Sequence, residues 1–211
     1  DVRYITHLNY AFGHVNDRFD GVKIDNESRL SELSKLKEQS PSLKVLISIG
    51  GWGSGRFSEM AAKETTRNQF AADCKRVADQ FNLDGIDIDW EYPGSSAAGI
   101  SSSADDWENY TLLMQAIRKA IGPDKLLTLA SQAGARFIDF AAIEPVIDFV
   151  NIMTYDMGRP PAHHAPLYQS YLTRGLSVDE AVAAHVKAGI PLNKLTMGMP
   201  FYGHGKEYLP D

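Results

Sequence analysis

Apolar residues recur along the chain in two rhythms that take turns. Residues 4–12 read as a strand, closed by Gly13 and the polar turn Asn16-Asp17-Arg18. Leu30, Leu33 and Leu36 then return at helical spacing around a helix predicted over 31–39, and Pro41 stops it. Residues 43–49 form a nearly unbroken apolar strand of the kind buried on both faces of a parallel sheet. The glycine-rich segment 50–55 follows, then a helix over 66–81 carrying Phe70, Val77 and Phe81. In the stretch 83–93, acids alternate with Ile86, Ile88 and Trp90, and a loop of Gly, Ser and Ala covers 94–104. Asp105 and Asp106 suit a helix start, and that helix runs to Ile121 before Gly122-Pro123. A strand over 126–130, a short helix near 140–143 and a strand over 149–155 come next, followed by a Pro- and His-rich loop over 158–166. Ser177 caps a helix over 178–188 with Glu180 in capping-box position, Gly189 ends it, and a last strand over 195–200 runs into Phe201-Tyr202-Gly203.

Six strands with a helix after each of the first five imply parallel strands joined by helical crossovers. An open doubly wound sheet and a (β/α)8 barrel both satisfy that order. A barrel takes about 250 residues, so a chain of 211 residues is short of one by roughly two units. The whole span 1–211 reads as one domain, long enough to bury a core. A net charge of −6 argues against a nucleic-acid partner or an anionic membrane surface, and it is compatible with a neutral or cationic substrate. The single cysteine, Cys74, excludes an internal disulfide framework and fits a small buried hydrophobe. No apolar run has the length of a membrane span, and the first residues do not resemble a signal peptide.

The stretch 83–93 is the anomaly in this pattern. As a strand, it sets Asp87, Asp89 and Glu91 on one face and Ile86, Ile88 and Trp90 on the other. Like charges held together in a partly buried place raise one another's pKa and cost stability, so folding alone gives no reason to build such a row. Acids perturbed in this way mark functional sites. Glu91 is outermost, nearest the following loop, and the three are expected to titrate as a coupled unit.

The string Asp84-Gly85-Ile86-Asp87-Ile88-Asp89-Trp90-Glu91-Tyr92-Pro93 resembles the DGxDxDWEYP signature of the family 18 glycoside hydrolases, the chitinase family. Three further segments agree: Ser48-Ile49-Gly50-Gly51 is similar to the family's SxGG, Met153-Thr154-Tyr155-Asp156-Met157 to its MTYDM, and Gly198 to Gly203 to its seventh-strand segment. The resemblance decides for a TIM-type (β/α)8 barrel, incomplete in this chain, with the acidic motif on the fourth strand and the first and eighth strands absent. It implies hydrolysis of β-1,4-linked N-acetylglucosamine polymers with retention, by substrate assistance, since the family is an exception to the two-carboxylate scheme. The roles it implies are Glu91 as proton donor and later base, Asp89 as the group that orients the acetamido substituent, Asp87 as the partner of Asp89, and Tyr155 as a donor to the acetamido carbonyl. Ser48 is then expected to hydrogen-bond Asp87, and the neighbouring glycines to let the backbone approach the sugar. Met153, which is either core filler or part of the site, and Asp156 join the substrate contacts. Where many relatives carry Arg after the final glycine, this chain has His204.

Sugar rings present flat C–H faces that stack on aromatic side chains. Trp52, Tyr10, Phe12, Tyr92 and Tyr202 are the candidates at the mouth, while Trp90 is expected to pack against helices. The segment 50–55 lacks the Lys and Ser/Thr of a phosphate loop, so nucleotide binding is rejected. His163, His164 and His185 do not have the spacing of a metal motif, and neither a cofactor nor a metal is expected. The expected partners are chitin or N-acetylglucosamine oligosaccharides. By resemblance, the protein is a monomer that is secreted or otherwise outside the cytoplasm. Two rival readings stay open: a chitinase-like lectin that binds without cutting, and an endo-β-N-acetylglucosaminidase acting on the chitobiose core of N-glycans.

Overall fold

The computed structural model describes residues 1–206. In chain order the elements are β1 (His7–Val15), β2 (Val22–Ile24), α1 (Glu27–Ser34), β3 (Lys44–Gly50), α2 (Phe57–Ala61), α3 (Glu64–Gln80), β4 (Gly85–Asp89), α4 (Asp106–Ile121), β5 (Leu126–Gln132), α5 (Phe140–Ile143), β6 (Phe149–Met153), α6 (Val178–Lys187) and β7 (Leu195–Met197). They build one sheet in the order β2-β1-β3-β4-β5-β6-β7. Every pairing is parallel except that of β2, which lies antiparallel against residues 13–15 of β1.

The sheet curls strongly. His7 of β1 and Phe149 of β6 meet edge to face at 5.3 Å, although three strands separate them in the sheet. In a flat sheet they would stand about 19 Å apart at 4.8 Å per strand. This is the wall of a (β/α)8 barrel that is not closed: among the described residues β7 pairs only with β6, and the first half of β1 only with β3. The expected incomplete barrel is thus the observed architecture.

Two layers follow from the alternation. On the outer face Ile47, Ile49, Ile86, Ile88, Leu127 and Leu129 are fully buried beneath the helices, where α3 contributes Phe70, Cys74 and Val77 and α4 contributes Leu113, Met114 and Ile117. Each side chain buried this way contributes about 1.5–3 kcal/mol. On the inner face, one register row runs Ala11, Ser48, Asp87, Thr128, small and polar where the outer rows are branched and apolar. The capping box of Ser177 and Glu180 forms as expected, each side chain bonded to the other's backbone N–H.

Three differences from the sequence reading bear on the site. The first connection is a hairpin through β2 and not a direct run into a helix, because β2 contributes only three residues, too few for an alternation to register. The strands read over 83–93, 149–155 and 195–200 stop at Asp89, Met153 and Met197, so Glu91, Tyr155 and Tyr202 stand just past strand ends. A short helix, α2, follows the glycine segment and supplies Phe57 to the core.

Gly50 is where the fold tolerates least. Its φ of 131° is in glycine territory, and a Cβ there would lie 1.9 Å from the Asp89 carbonyl oxygen. Gly50→Ala is therefore expected to cost about 3 kcal/mol or more, through strain plus displacement of β4. Ser177→Ala, which removes only a cap, is expected to cost about 1 kcal/mol. Urea unfolding of the two variants beside the parent chain measures both.

Candidate active site

The acidic row is anchored from behind. Trp90, only 2% exposed, stacks on Phe57 at 5.3 Å and 12° and leans on Tyr110 at 6.0 Å. With that bulk fixed on the helix side, period two leaves Asp87 and Asp89 no direction but the barrel interior. Asp87, Asp89 and Glu91 are all buried, and they differ in what surrounds them.

Asp87 sits deepest, inside a cage of donors. Ser48 Oγ donates to its Oδ2 at 2.6 Å, Thr128 Oγ1 to its Oδ1 at 2.5 Å, and Asn151 Nδ2 to the same Oδ1 at 3.1 Å. Burial pushes its pKa up, and these three bonds oppose the rise. The predicted contact with Ser48 is present. The sequence analysis does not single out Thr128 or Asn151, although each is a polar residue flanked on both sides by apolar ones in its strand, a signal the sequence does carry.

Asp89, one pleat above, has no such cage. Its Oδ1 is buried without a hydrogen-bond partner. Burial, then the negative charges of Glu91 and Asp87, push its pKa up to about 8. The influence of Asp87 on Asp89 is thus electrostatic, and the hydrogen bonds of Asp87 go to its neighbours on β3, β5 and β6. Glu91 is raised chiefly by burial, with the Tyr92 hydroxyl drawing it back and the charge of Asp156 pushing it further up. Asp89 and Glu91 repel one another, and burial is the first cause of the rise in both.

The tyrosines and Asp156 close the other side. Burial and the charges of Asp89, Glu91, Asp156 and Asp87, in that order, push Tyr155 up to about 12, which keeps its hydroxyl a donor at neutral pH. Tyr155 meets Tyr202 edge to face at 6.1 Å. Tyr202 donates to Asp156 Oδ2 at 2.8 Å, and His204 Nε2 bonds Oδ1 at 2.7 Å. For Asp156 the upward push of burial is outweighed by those two bonds and by the charges of His164 and His204, so its pKa falls. Met153 ends β6 two residues beyond Asn151, on the inner face.

Aromatic rings form the rim. Trp52 is 63% exposed and meets Tyr92 edge to face at 6.3 Å. Tyr92 stacks on Phe137 at 4.9 Å and 9°. Phe137, in the loop after β5 with φ 71°, escaped the sequence reading because an isolated aromatic in a turn has no periodic signature. Phe12 lies against Gly51 because a register shift between Ala11 and Gly13 re-aims it.

Tyr10 is a correction. It pairs in register with Ile47, so it points to the helix side, and its hydroxyl reaches the Asn26 carbonyl at 3.4 Å. Alternation ahead of the bulge fixes that direction, which removes Tyr10 from the mouth. Gly50, expected to make room for a sugar, makes room for the Asp89 carbonyl, which also accepts from the Gly51 amide at 2.9 Å.

The loop over 94–103, directly after the acidic motif, is held by Asp106. This fully buried carboxylate accepts from Ser58 Oγ at 2.7 Å and from the backbone amides of Gly94 at 3.1 Å and Ser103 at 2.8 Å. In the sequence alone, Asp106 shows only as an acid at a helix start.

The family profile "Glycosyl hydrolases family 18" matches residues 1–210. Chitinase A1 of Niallia circulans is 40% identical over 200 residues, covering 83% of this chain and 29% of its own length. The chitinase domain of the spore coat protein CotE from Clostridium difficile superposes with a TM-score of 0.93 at 40% identity, covering 97% of this chain and 62% of that one. A family 18 N-acetylglucosaminidase from Paenibacillus barengoltzii superposes at 0.87 with 38% identity, covering 94% of this chain and 62% of that one. The chain thus spans less than two-thirds of the length of each.

The Asp89 carboxyl makes stability fall with pH. A folded pKa of about 8 against the usual 3.8 means the native state holds a proton that the unfolded chain releases. The penalty is absent below 3.8, grows through the interval and is complete above about 8. Asp89→Asn is expected to stabilise the fold by on the order of 2 kcal/mol at pH 8 and by almost nothing at pH 4. Urea unfolding of the variant and the parent at the two pH values checks this.

Proposed function

The chain belongs to the glycosyl hydrolases of family 18, and from that membership we propose that it hydrolyses β-1,4-linked N-acetylglucosamine polymers with Glu91 as acid and base. The observation that carries the reading is the pairing of an uptitrated Glu91 with a buried neighbour, Asp89, that has an acceptor oxygen to spare.

A glycosidic oxygen leaves only when protonated, which calls for a carboxylic acid still holding its proton near the working pH. Glu91 is lifted toward that condition and stands at the edge of the mouth. A carboxylate nucleophile is hard to find here. Asp89 is held in its protonated form near neutrality, and Asp156 is tied up by Tyr202 and His204. The 2-acetamido oxygen of the substrate fills that role. It attacks the anomeric carbon as Glu91 gives its proton to the departing oxygen, and an oxazolinium ion forms. Water then opens that ion and returns a proton to Glu91, with retention at the anomeric centre.

Asp89 suits the acetamido N–H. The free Oδ1 accepts it, and the positive charge that develops there favours the ionised carboxylate, so the interaction strengthens as the reaction proceeds. The Tyr155 hydroxyl, kept protonated, donates to the acetamido oxygen and aims it. Ser48, Thr128 and Asn151 hold Asp87 and with it the strand that presents Asp89 and Glu91. Trp52, Tyr92 and Phe12 offer ring faces to the sugar, Met153 and Tyr202 wall the floor, and Asp156 accepts a sugar hydroxyl. A substrate of this kind and the family resemblance support a reaction outside the cytoplasm.

Release of fluorophore from a labelled N-acetylglucosamine oligomer tests the reading, with a glucose oligomer of equal length as the control expected to be inert. Glu91→Gln is expected to lower kcat about 10²–10⁴-fold while oligosaccharide affinity stays within about twofold. Release only from a glycoprotein would favour action on N-glycan cores. Sugar binding with no release from either would make the chain a lectin. Undiminished release by Glu91→Gln would assign the proton to another residue.

A further inference from the structure

Three donor groups from distant parts of the chain converge beside the mouth. Asp156 follows β6, His164 lies in the loop beyond it, and His204 comes after β7. One ligand atom from each lies within 4.8 Å of the others. His204 Nε2 is 2.7 Å and His164 Nδ1 3.6 Å from the same oxygen, Asp156 Oδ1, and the two imidazole rings cross edge to face at 4.7 Å. Ligands of a tetrahedral ion bound at 2.0–2.1 Å stand about 3.3–3.4 Å apart, so the two measured separations bracket the required one.

The cluster is built and not a chance meeting of surface side chains. Both ring nitrogens of His164 are buried and lack a hydrogen-bond partner, an arrangement that packing alone does not reward. The His164 carbonyl accepts from the Met157 amide at 3.1 Å, which folds the loop back on the residue next to Asp156. Gly158 permits that return, since a Cβ there would lie 2.3 Å from the His163 carbonyl oxygen. Tyr202 donates to the other oxygen of Asp156, the outer contact that orients a ligating carboxylate.

We propose that Asp156, His164 and His204 form a binding site for a divalent transition-metal ion of the Zn2+ class, which pins the loop after β6 to the segment after β7. Two imidazoles and one carboxylate are the donor set such ions take. Three protein ligands leave a fourth position on the exposed side for water. Ca2+ and Mg2+ are excluded by the same donors, since they require six or more oxygens or near-ideal octahedral geometry. On binding, Asp156 Oδ1 exchanges its bond to His204 for the metal, and the imidazoles bind in their neutral form.

Competition between the full chain and a chromogenic chelator for Zn2+ tests the site. One equivalent is expected to be withdrawn from the chelator, unaffected by excess Ca2+. His164→Ala and His204→Arg are each expected to weaken binding by at least about tenfold. His204→Arg is the discriminating variant, because a guanidinium still pairs with Asp156 but cannot ligate. His163→Ala, which alters the adjacent imidazole outside the cluster, is expected to bind as the parent does, and far-UV circular dichroism verifies that each variant is folded. No withdrawal by the parent, or equal withdrawal by the parent and by folded His204→Arg, overturns the site. The readout contains no sugar and no hydrolysis, so its failure is separate from any failure of the glycosidase reading.

Discussion

A buried carboxylate without donors is among the costliest things a fold can contain, and the way Asp87 escapes that cost organises this protein. Its three hydrogen bonds come from β3, β5 and β6, so one side chain ties four strands together at one level of the curled sheet. A slip of one residue in any of those strands would turn its donor to the helix side and leave Asp87 one bond short. The same register that satisfies Asp87 sets Asp89 above it and Glu91 beyond the strand end. The polar inner row and the apolar outer rows are thus two consequences of one constraint.

Above that level, satisfaction ends by degrees. Asp87 has three donors, Asp89 an oxygen with none, and Glu91 a single neighbouring hydroxyl. Stability and chemistry pull in opposite directions along these five residues. The base of the row is as well bonded as any core group, and higher up a buried acceptor oxygen of Asp89 is left without a partner. The stacked Phe57–Trp90–Tyr110 group behind the strand supplies the rigidity that lets the front remain incomplete.

Much of this was legible in the residue pattern. Alternation along 83–93 gave the two faces, and helical periodicity gave the layers outside them. The family signature then chose between two architectures that the element order left equal. What escaped has physical reasons. Three-residue β2 is too short for a period to register. The bulge at Phe12 breaks the alternation there, so the aromatic pair Tyr10 and Phe12 parts company, one residue going to each side. The Asp156–His164–His204 cluster has no spacing motif, because its members meet only through the return of two loops. Gly50 was legible as special, yet its reason was the neighbouring strand's carbonyl and not a ligand.

The Asp106 anchor bears on how this mouth can diversify. Two of its three bonds go to backbone amides, at Gly94 and Ser103. An amide is present at every position except proline, so the tether does not depend on side-chain identity between its ends. The exposed positions between those ends can accordingly exchange one side chain for another, while Ile100 stays committed to the core and Gly99, at φ 73°, to glycine. A lineage could change the exposed side chains of this loop with the acidic motif before it left undisturbed.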